Sequence, residues 1–267
     1  MAEKKFNPYD DRNVICLRGT VQSYREDQNP ASFQIATDGS VKPGRPTNKV
    51  IVYIYNPRTM MPVHRNDRIE VRGHLQPRRM PAGSERSYEQ IIVADEIRSV
   101  KRDIAYVMPD VVINDGLPQY AGTPDDFNVG AFIGSFVRSR GGDNGNRQGQ
   151  DGEHRNTIAR CTATVCMRTR DSEGELHENN CSFICYGRQA EYVLRHVKPG
   201  DRVAVDGRVR SLEPSSPNGR FRQQIVVRDI AVILRKEDMD EANAENEADG
   251  NDVNEDNGTY ETPESDS

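Results

Sequence analysis

Residues 67–75 read Asp-Arg-Ile-Glu-Val-Arg-Gly-His-Leu, and residues 201–209 read Asp-Arg-Val-Ala-Val-Asp-Gly-Arg-Val. At the same offset of 134, Gln90-Ile-Ile-Val-Ala-Asp95 returns as Gln224-Ile-Val-Val-Arg-Asp229. A chain of 267 residues has room for two domains, and this repeat requires both to be copies of one β-rich unit. Ile69, Val71 and Leu75 alternate with Arg68, Glu70, Arg72 and His74, which is the period of a half-buried strand. In the second copy Val203, Val205 and Val209 point inward, and Arg202, Arg208 and Arg210 outward. Gly73 falls on the apolar side, where a strand bends or another backbone comes close.

Module one spans residues 13–102, with strands expected at 14–24, 32–37, 49–55, 68–76 and 88–99. Module two spans 127–235, with strands at 129–137, 157–168, 181–186, 202–212 and 221–234. Between its third and fourth strands, Ala190, Val193, Leu194 and Val197 recur at helical spacing until Lys198-Pro-Gly-Asp201 ends the pattern. The offset is 131 at Tyr55/Tyr186 but 134 at Asp67/Asp201, so module one is three residues shorter there and its helix is expected to be rudimentary. Residues 109–126, with Pro118, Gly122 and Pro124, read as a linker, and the Gly/Asn/Gln-rich stretch 138–156 as a mobile loop. Five short strands with a helix before the fourth, twice over, predict an all-β fold: two five-stranded OB barrels in tandem.

Charge is divided along the chain. The formal net charge is −6, but 13 of the 42 acids lie in residues 237–267, which hold no Lys or Arg. The remaining 29 acids face all 36 bases, so the body carries +7. A basic body suits a polyanion, and the acidic, weakly apolar end 237–267 is expected to be a disordered tail. No long apolar run is present and the N-terminal residues have no signal-peptide core, so a soluble protein without membrane contact is expected. Five cysteines do not form a disulfide framework. Cys161/Cys166 and Cys181/Cys185 fall in strand-patterned segments, not in the tight knuckles zinc prefers, and read as buried thiols; no metal or cofactor is expected. No phosphate-cradling Gly-rich loop or His-x₃-His pair exists, and His64, His74, His154, His177 and His196 are scattered, so no catalytic residues are assigned.

A groove for single strands needs cations for phosphates and aromatic faces for unpaired bases. The stacking residues expected are Tyr53, Tyr55, Tyr186 and Phe221; Phe33 and Phe183 can equally point inward. The phosphate contacts expected are Arg72, Arg78, Arg79 and Arg86 in module one, with Arg168, Arg170, Arg208, Arg210, Arg220 and Arg222 in module two. A lone strand aromatic is more often packing than platform, and a lone Arg more often a solvated charge. Interleaving both on the same strands is what a plain solvated face does not explain.

Phe183-Ile-Cys-Tyr-Gly-Arg-Gln-Ala-Glu191, Leu194-Arg-His-Val-Lys-Pro-Gly200 and Arg202-Val-Ala-Val-Asp-Gly-Arg-Val209 together resemble the bacterial single-stranded DNA-binding protein family. Module one echoes it through Tyr55, 67–75 and 90–95. The resemblance implies a sequence-independent coat for single-stranded DNA in replication, recombination and repair, cytoplasmic and nucleoid-associated. It also implies a homodimer presenting four barrels and a tail that recruits replication and repair proteins. The chain departs from the family in having no Trp, with Asn180 and Pro214 near two usual tryptophan positions and Tyr186 at the usual strand-three Phe. Its end, Pro263-Glu-Ser-Asp-Ser267, has no apolar tip, and Tyr260 is the aromatic nearest to it. The alternatives are an OB-fold protein-interaction adaptor of replication or primosome type, and an RNA-binding OB protein.

Overall fold

The computed structural model describes residues 10–26, 28–37, 48–55, 62–80, 87–100, 112–114, 117–119, 126–142, 158–170, 176–212 and 222–241. The first module supplies β1 (Arg12–Arg25), β2 (Ala31–Ala36), β3 (Lys49–Ile54), β4 (Arg68–Arg79) and β5 (Tyr88–Ser99). The second supplies β8 (Phe127–Gly142), β9 (Arg160–Arg170), β10 (Leu176–Tyr186), α1 (Arg188–His196), β11 (Arg202–Leu212) and β12 (Arg222–Leu234). A short hairpin, β6 (Val112–Asn114) with β7 (Leu117–Gln119), lies within the stretch expected to be linker.

Each module closes in the order β1-β2-β3-β5-β4 and back to β1, or β8-β9-β10-β12-β11 and back to β8. All neighbours are antiparallel except β3/β5 and β10/β12, which run parallel. Closure requires the first strand to serve two partners. β1 pairs β4 through Ile15–Thr20 and then β2 from Thr20 onward, with a bulge between Val21 and Ser23. At the bend a Cβ on Gly19 would sit 1.8 Å from the Ala36 carbonyl oxygen, so only glycine fits. Gly73 behaves as its position implies: a Cβ there would lie 2.2 Å from the Val93 carbonyl oxygen of β5.

The inward sets fill the two barrels. Ile15, Leu17, Phe33, Ile35, Ile69 and Leu75 are buried in the first; Phe132, Val165, Phe183, Val203, Val205 and Val209 in the second. Phe132 meets Phe183 edge-on at 4.9 Å between ring centroids. Helix α1 lays Ala190 and Val193 against barrel two. In module one, residues 62–67 hold a turn at 65–66 and no helix, with Val63 buried; residues 56–61, on which the expected rudimentary helix also falls, lie outside the described residues.

The barrels are one continuous sheet, because β1 pairs antiparallel with β8 from Arg12↔Ile133 to Arg18↔Phe127. Ile15 and Gly130 occupy the same place in their modules and pair directly, so a local two-fold axis passes between them. Side chains obey it. The Arg68 guanidinium of barrel one binds Asp126 at 2.6 Å, just ahead of β8, and Arg202 of barrel two binds Asp11, just ahead of β1. The Arg68 and Asp126 side chains are 7% and 0% exposed. This corrects the outward reading of Arg68 and Arg202: each stands where its strand enters the seam and neutralises the other barrel's carboxylate. Asn13 and Asn128 repeat a further device. The Asn13 carboxamide donates to the Leu75 carbonyl (2.8 Å) and accepts from the Leu75 N–H (2.9 Å), and Asn128 does the same with Val209.

Two other expectations change. Residues 138–142 continue β8 in register with β9, so the stretch read as a loop begins after a longer strand. β10 starts at Leu176 and not at Cys181, because Leu176–Asn180 pair with Cys166–Arg170 in a polar extension of the hairpin.

Candidate nucleic-acid interface

On barrel one, the outward side chains of β3 are Lys49, Ile51 and Tyr53, with Tyr55 just beyond, 49% exposed. The Arg78 guanidinium lies 4.5 Å from the Tyr53 ring centroid and donates to the Tyr53 hydroxyl at 3.2 Å. It also donates to Glu89 Oε2 at 2.8 Å. Burial alone would lower the Arg78 pKa, but the hydrogen bond and charge of Glu89, with Tyr53, outweigh it and hold the guanidinium charged. The aromatic and the cation that the sequence assigned to separate tasks are therefore partners. One register step away Arg79 faces Tyr88 across β4/β5, and Tyr88 is 63% exposed. Tyr88 escaped the sequence reading because its repeat counterpart is Arg222, so recurrence gave no aromatic there. Arg72 is exposed on β4 opposite Glu96; Arg86 lies outside the described residues.

On barrel two, Tyr186 is half-buried, with the guanidinium of its cross-strand partner Arg160 5.8 Å from the ring centroid. Arg208 and Arg210 are exposed on β11. Arg168 pairs with Glu178 at 3.3 Å, while its N–H donates to Asp11. Arg170 closes β9, and its side chain lies outside the described residues, as do Phe221 and Arg220. Arg222 opens β12 and is exposed. The strand extension of β8 adds exposed Arg138 and Arg140, which carry no apolar alternation because the extension is polar on both faces. Phe33 and Phe183 are core residues.

Part of the strand-three face is spent on the seam between barrels. The Gln90 carboxamide accepts from the Ser182 N–H at 2.8 Å and donates to its carbonyl at 3.3 Å. Gln223 donates to the Ile51 carbonyl at 2.8 Å, and Asn48 bridges to Val209 and Ser211 at 2.9 and 3.0 Å. The outer surfaces of the two barrels thus meet through side-chain hydrogen bonds from β5 to β10, from β12 to β3 and from Asn48, just ahead of β3, to β11.

Among the described residues no group of three or more His, Cys, Asp or Glu side chains could hold a metal ion, and no helix is long and apolar enough to cross a membrane. Cys161 and Cys185 are buried opposite each other on β9 and β10. Their mutual hydrogen bond lowers the Cys161 pKa and raises that of Cys185, while burial pushes the Cys181 thiol up to about 12.

A closed β1-β2-β3-β5-β4 barrel with one parallel pair, bearing aromatics and arginines on its outer strands, defines an OB-fold, and this chain is a tandem OB-fold protein. Its fold is similar to that of the wild-type single-stranded DNA binding protein from Thermus aquaticus: 14% identity, 85% of this chain and 95% of that one covered, TM-score 0.52. A deletion variant of the same Thermus aquaticus protein matches at 15% identity, covering 85% and 96% of the two chains, with a TM-score of 0.52. No protein-family model and no curated protein sequence matches the chain.

Proposed function

We propose that this protein binds single-stranded DNA without sequence preference, coating exposed strands during replication, recombination and repair. The observation that carries this reading is the surface of barrel one, where Arg78 lies against the Tyr53 ring and the open Tyr88 faces Arg79 across β4/β5, with Tyr55 open beyond the far end of β3. Open rings beside cations are what a sequence-tolerant strand requires, each stacked base being worth about 1–3 kcal/mol. The tandem-barrel likeness to the Thermus aquaticus single-stranded DNA binding protein supports it.

In this reading Tyr53, Tyr55, Tyr88, Tyr186 and Phe221 take bases. Phosphates fall to Arg72, Arg78, Arg79 and Arg86 on barrel one, and to Arg168, Arg170, Arg208, Arg210, Arg220 and Arg222 on barrel two. The units are 13–102 and 127–235, joined through 109–126. The working form is a homodimer of four barrels in the cytoplasm, associated with the nucleoid. The acidic stretch 237–267 contacts replication and repair proteins, and the chain carries out no bond-making step.

Titration with dT oligonucleotides of increasing length, at low and moderate salt, tests the reading. The chain has 10 Tyr and no Trp, so tyrosine emission reports directly on stacking. Length-dependent quenching with little binding to duplex is the expected result. Equal affinity for duplex, or no binding, would leave the barrels as protein-interaction modules.

A further inference from the structure

We propose that Glu89 is a positioning residue: it parks Arg78 over Tyr53 in the free protein, and an incoming phosphate takes Arg78 from Glu89 and opens the ring to a base. This rests on the single-strand reading above and assigns the order in which barrel one engages its strand. Three side chains form the closed set. Glu89 accepts from Arg78 at 2.8 Å, Arg78 donates to the Tyr53 hydroxyl at 3.2 Å, and the guanidinium covers the ring at 4.5 Å. As long as that arrangement holds, one face of Tyr53 is occupied by the protein's own cation.

The arrangement is exchangeable. Carboxylate and phosphate both offer oxyanions to the guanidinium fork, so a phosphate can replace Glu89 without stranding Arg78 unpaired. The Arg78 and Glu89 side chains are each 28% exposed, which lets a ligand reach them. They face each other in register across β4/β5, and the next pair toward the strand ends, Arg79 with the exposed Tyr88, projects from the opposite face of the ladder. The latch belongs to barrel one alone. The repeat places Ile184, Leu212 and Gln223 at the corresponding positions, with neither ring, cation nor carboxylate, and Gln223 is engaged on the Ile51 carbonyl.

The test titrates full-length wild type, Glu89→Gln, Arg78→Gln and the double variant with dT oligonucleotides over a range of salt. Glu89→Gln is expected to bind several-fold tighter, because Arg78 no longer has to leave a carboxylate, with the wild-type slope of log K against log salt, since the same phosphates are neutralised in both complexes. Arg78→Gln should weaken binding, and in its background Glu89→Gln should change nothing further. Wild-type affinity in Glu89→Gln would overturn the proposal. So would tightening that persists without Arg78, which would mark a general charge effect, or weaker binding with a lowered melting temperature, which would mark a structural role. If wild type itself fails to bind dT, the single-strand reading falls first and this inference with it.

Discussion

Asp201 shows how much one side chain can hold at the entrance to a strand. Its carboxylate accepts from the N–H of Lys198 at 2.9 Å and of Lys236 at 3.2 Å, and from Arg235 at 2.8 Å. Burial would raise its pKa, but these donors together set it below the ordinary 3.8. A depressed carboxylate contributes stability above its unfolded pKa and loses it as pH falls through the folded value. Asp201→Asn should therefore unfold at lower urea than wild type at pH 7, and the gap should close as pH falls below about 4. Urea midpoints at pH 7 and pH 3 check this. The thiols allow a second prediction. Cys161, Cys181 and Cys185 are buried, whereas Cys16 and Cys166 are partly open. A disulfide reagent at pH 8 should modify no more than those two in the native protein and all five after unfolding. Burial of Cys161, Cys181 and Cys185 was legible from their place in strand-patterned segments, but Cys166, also read as buried, is partly open because it alternates with the buried Val165 and Met167. The fate of Arg68 and Arg202 was not legible, since alternation gives a side chain's direction but not what another barrel brings to meet it.

At the scale of elements, strands whose apolar residues alternate were found to within a few residues, and α1 was found from its four-residue face. Strand segments polar on both faces, such as the start of β10 and the end of β8, carry no period to read and emerge only from pairing with β9. The candidate interface was legible in part for the same reason: repeat position pointed to Tyr55 and Tyr186, but Tyr88 has Arg222 as its counterpart. The β1/β8 junction depends on side chains in the seam. Removing one partner of a buried ion pair leaves an uncompensated charge, so Asp126→Ala should cost about 3–5 kcal/mol. Removing Arg98, whose contact with Glu96 is solvent-exposed, should leave the urea midpoint unchanged. In the core, Phe132→Ala should cost about 3–5 kcal/mol through lost burial and the cavity left against Phe183. Urea denaturation of the three variants separates these cases.

The whole molecule divides its charge between a basic body and an acidic end. A +7 body attracts the same residues 237–267 that it attracts phosphate against, so deleting them should tighten dT binding at low salt and less so at high salt. Equal affinity and salt slope in the truncated chain would count against that competition. The shared sheet also means that neither barrel presents β1 or β8 as a free edge, and heating should give one cooperative transition with equal calorimetric and van't Hoff enthalpies. The reciprocal bridges, Asp11 with Arg202 and Asp126 with Arg68, have a consequence for the covalent chain itself. Each half is clasped by the other through β1/β8 and these charges, so the peptide connection serves concentration more than cohesion. A nick between residues 101 and 125 should leave two fragments that stay together, and the halves made from separate genes should find each other and rebuild the pair.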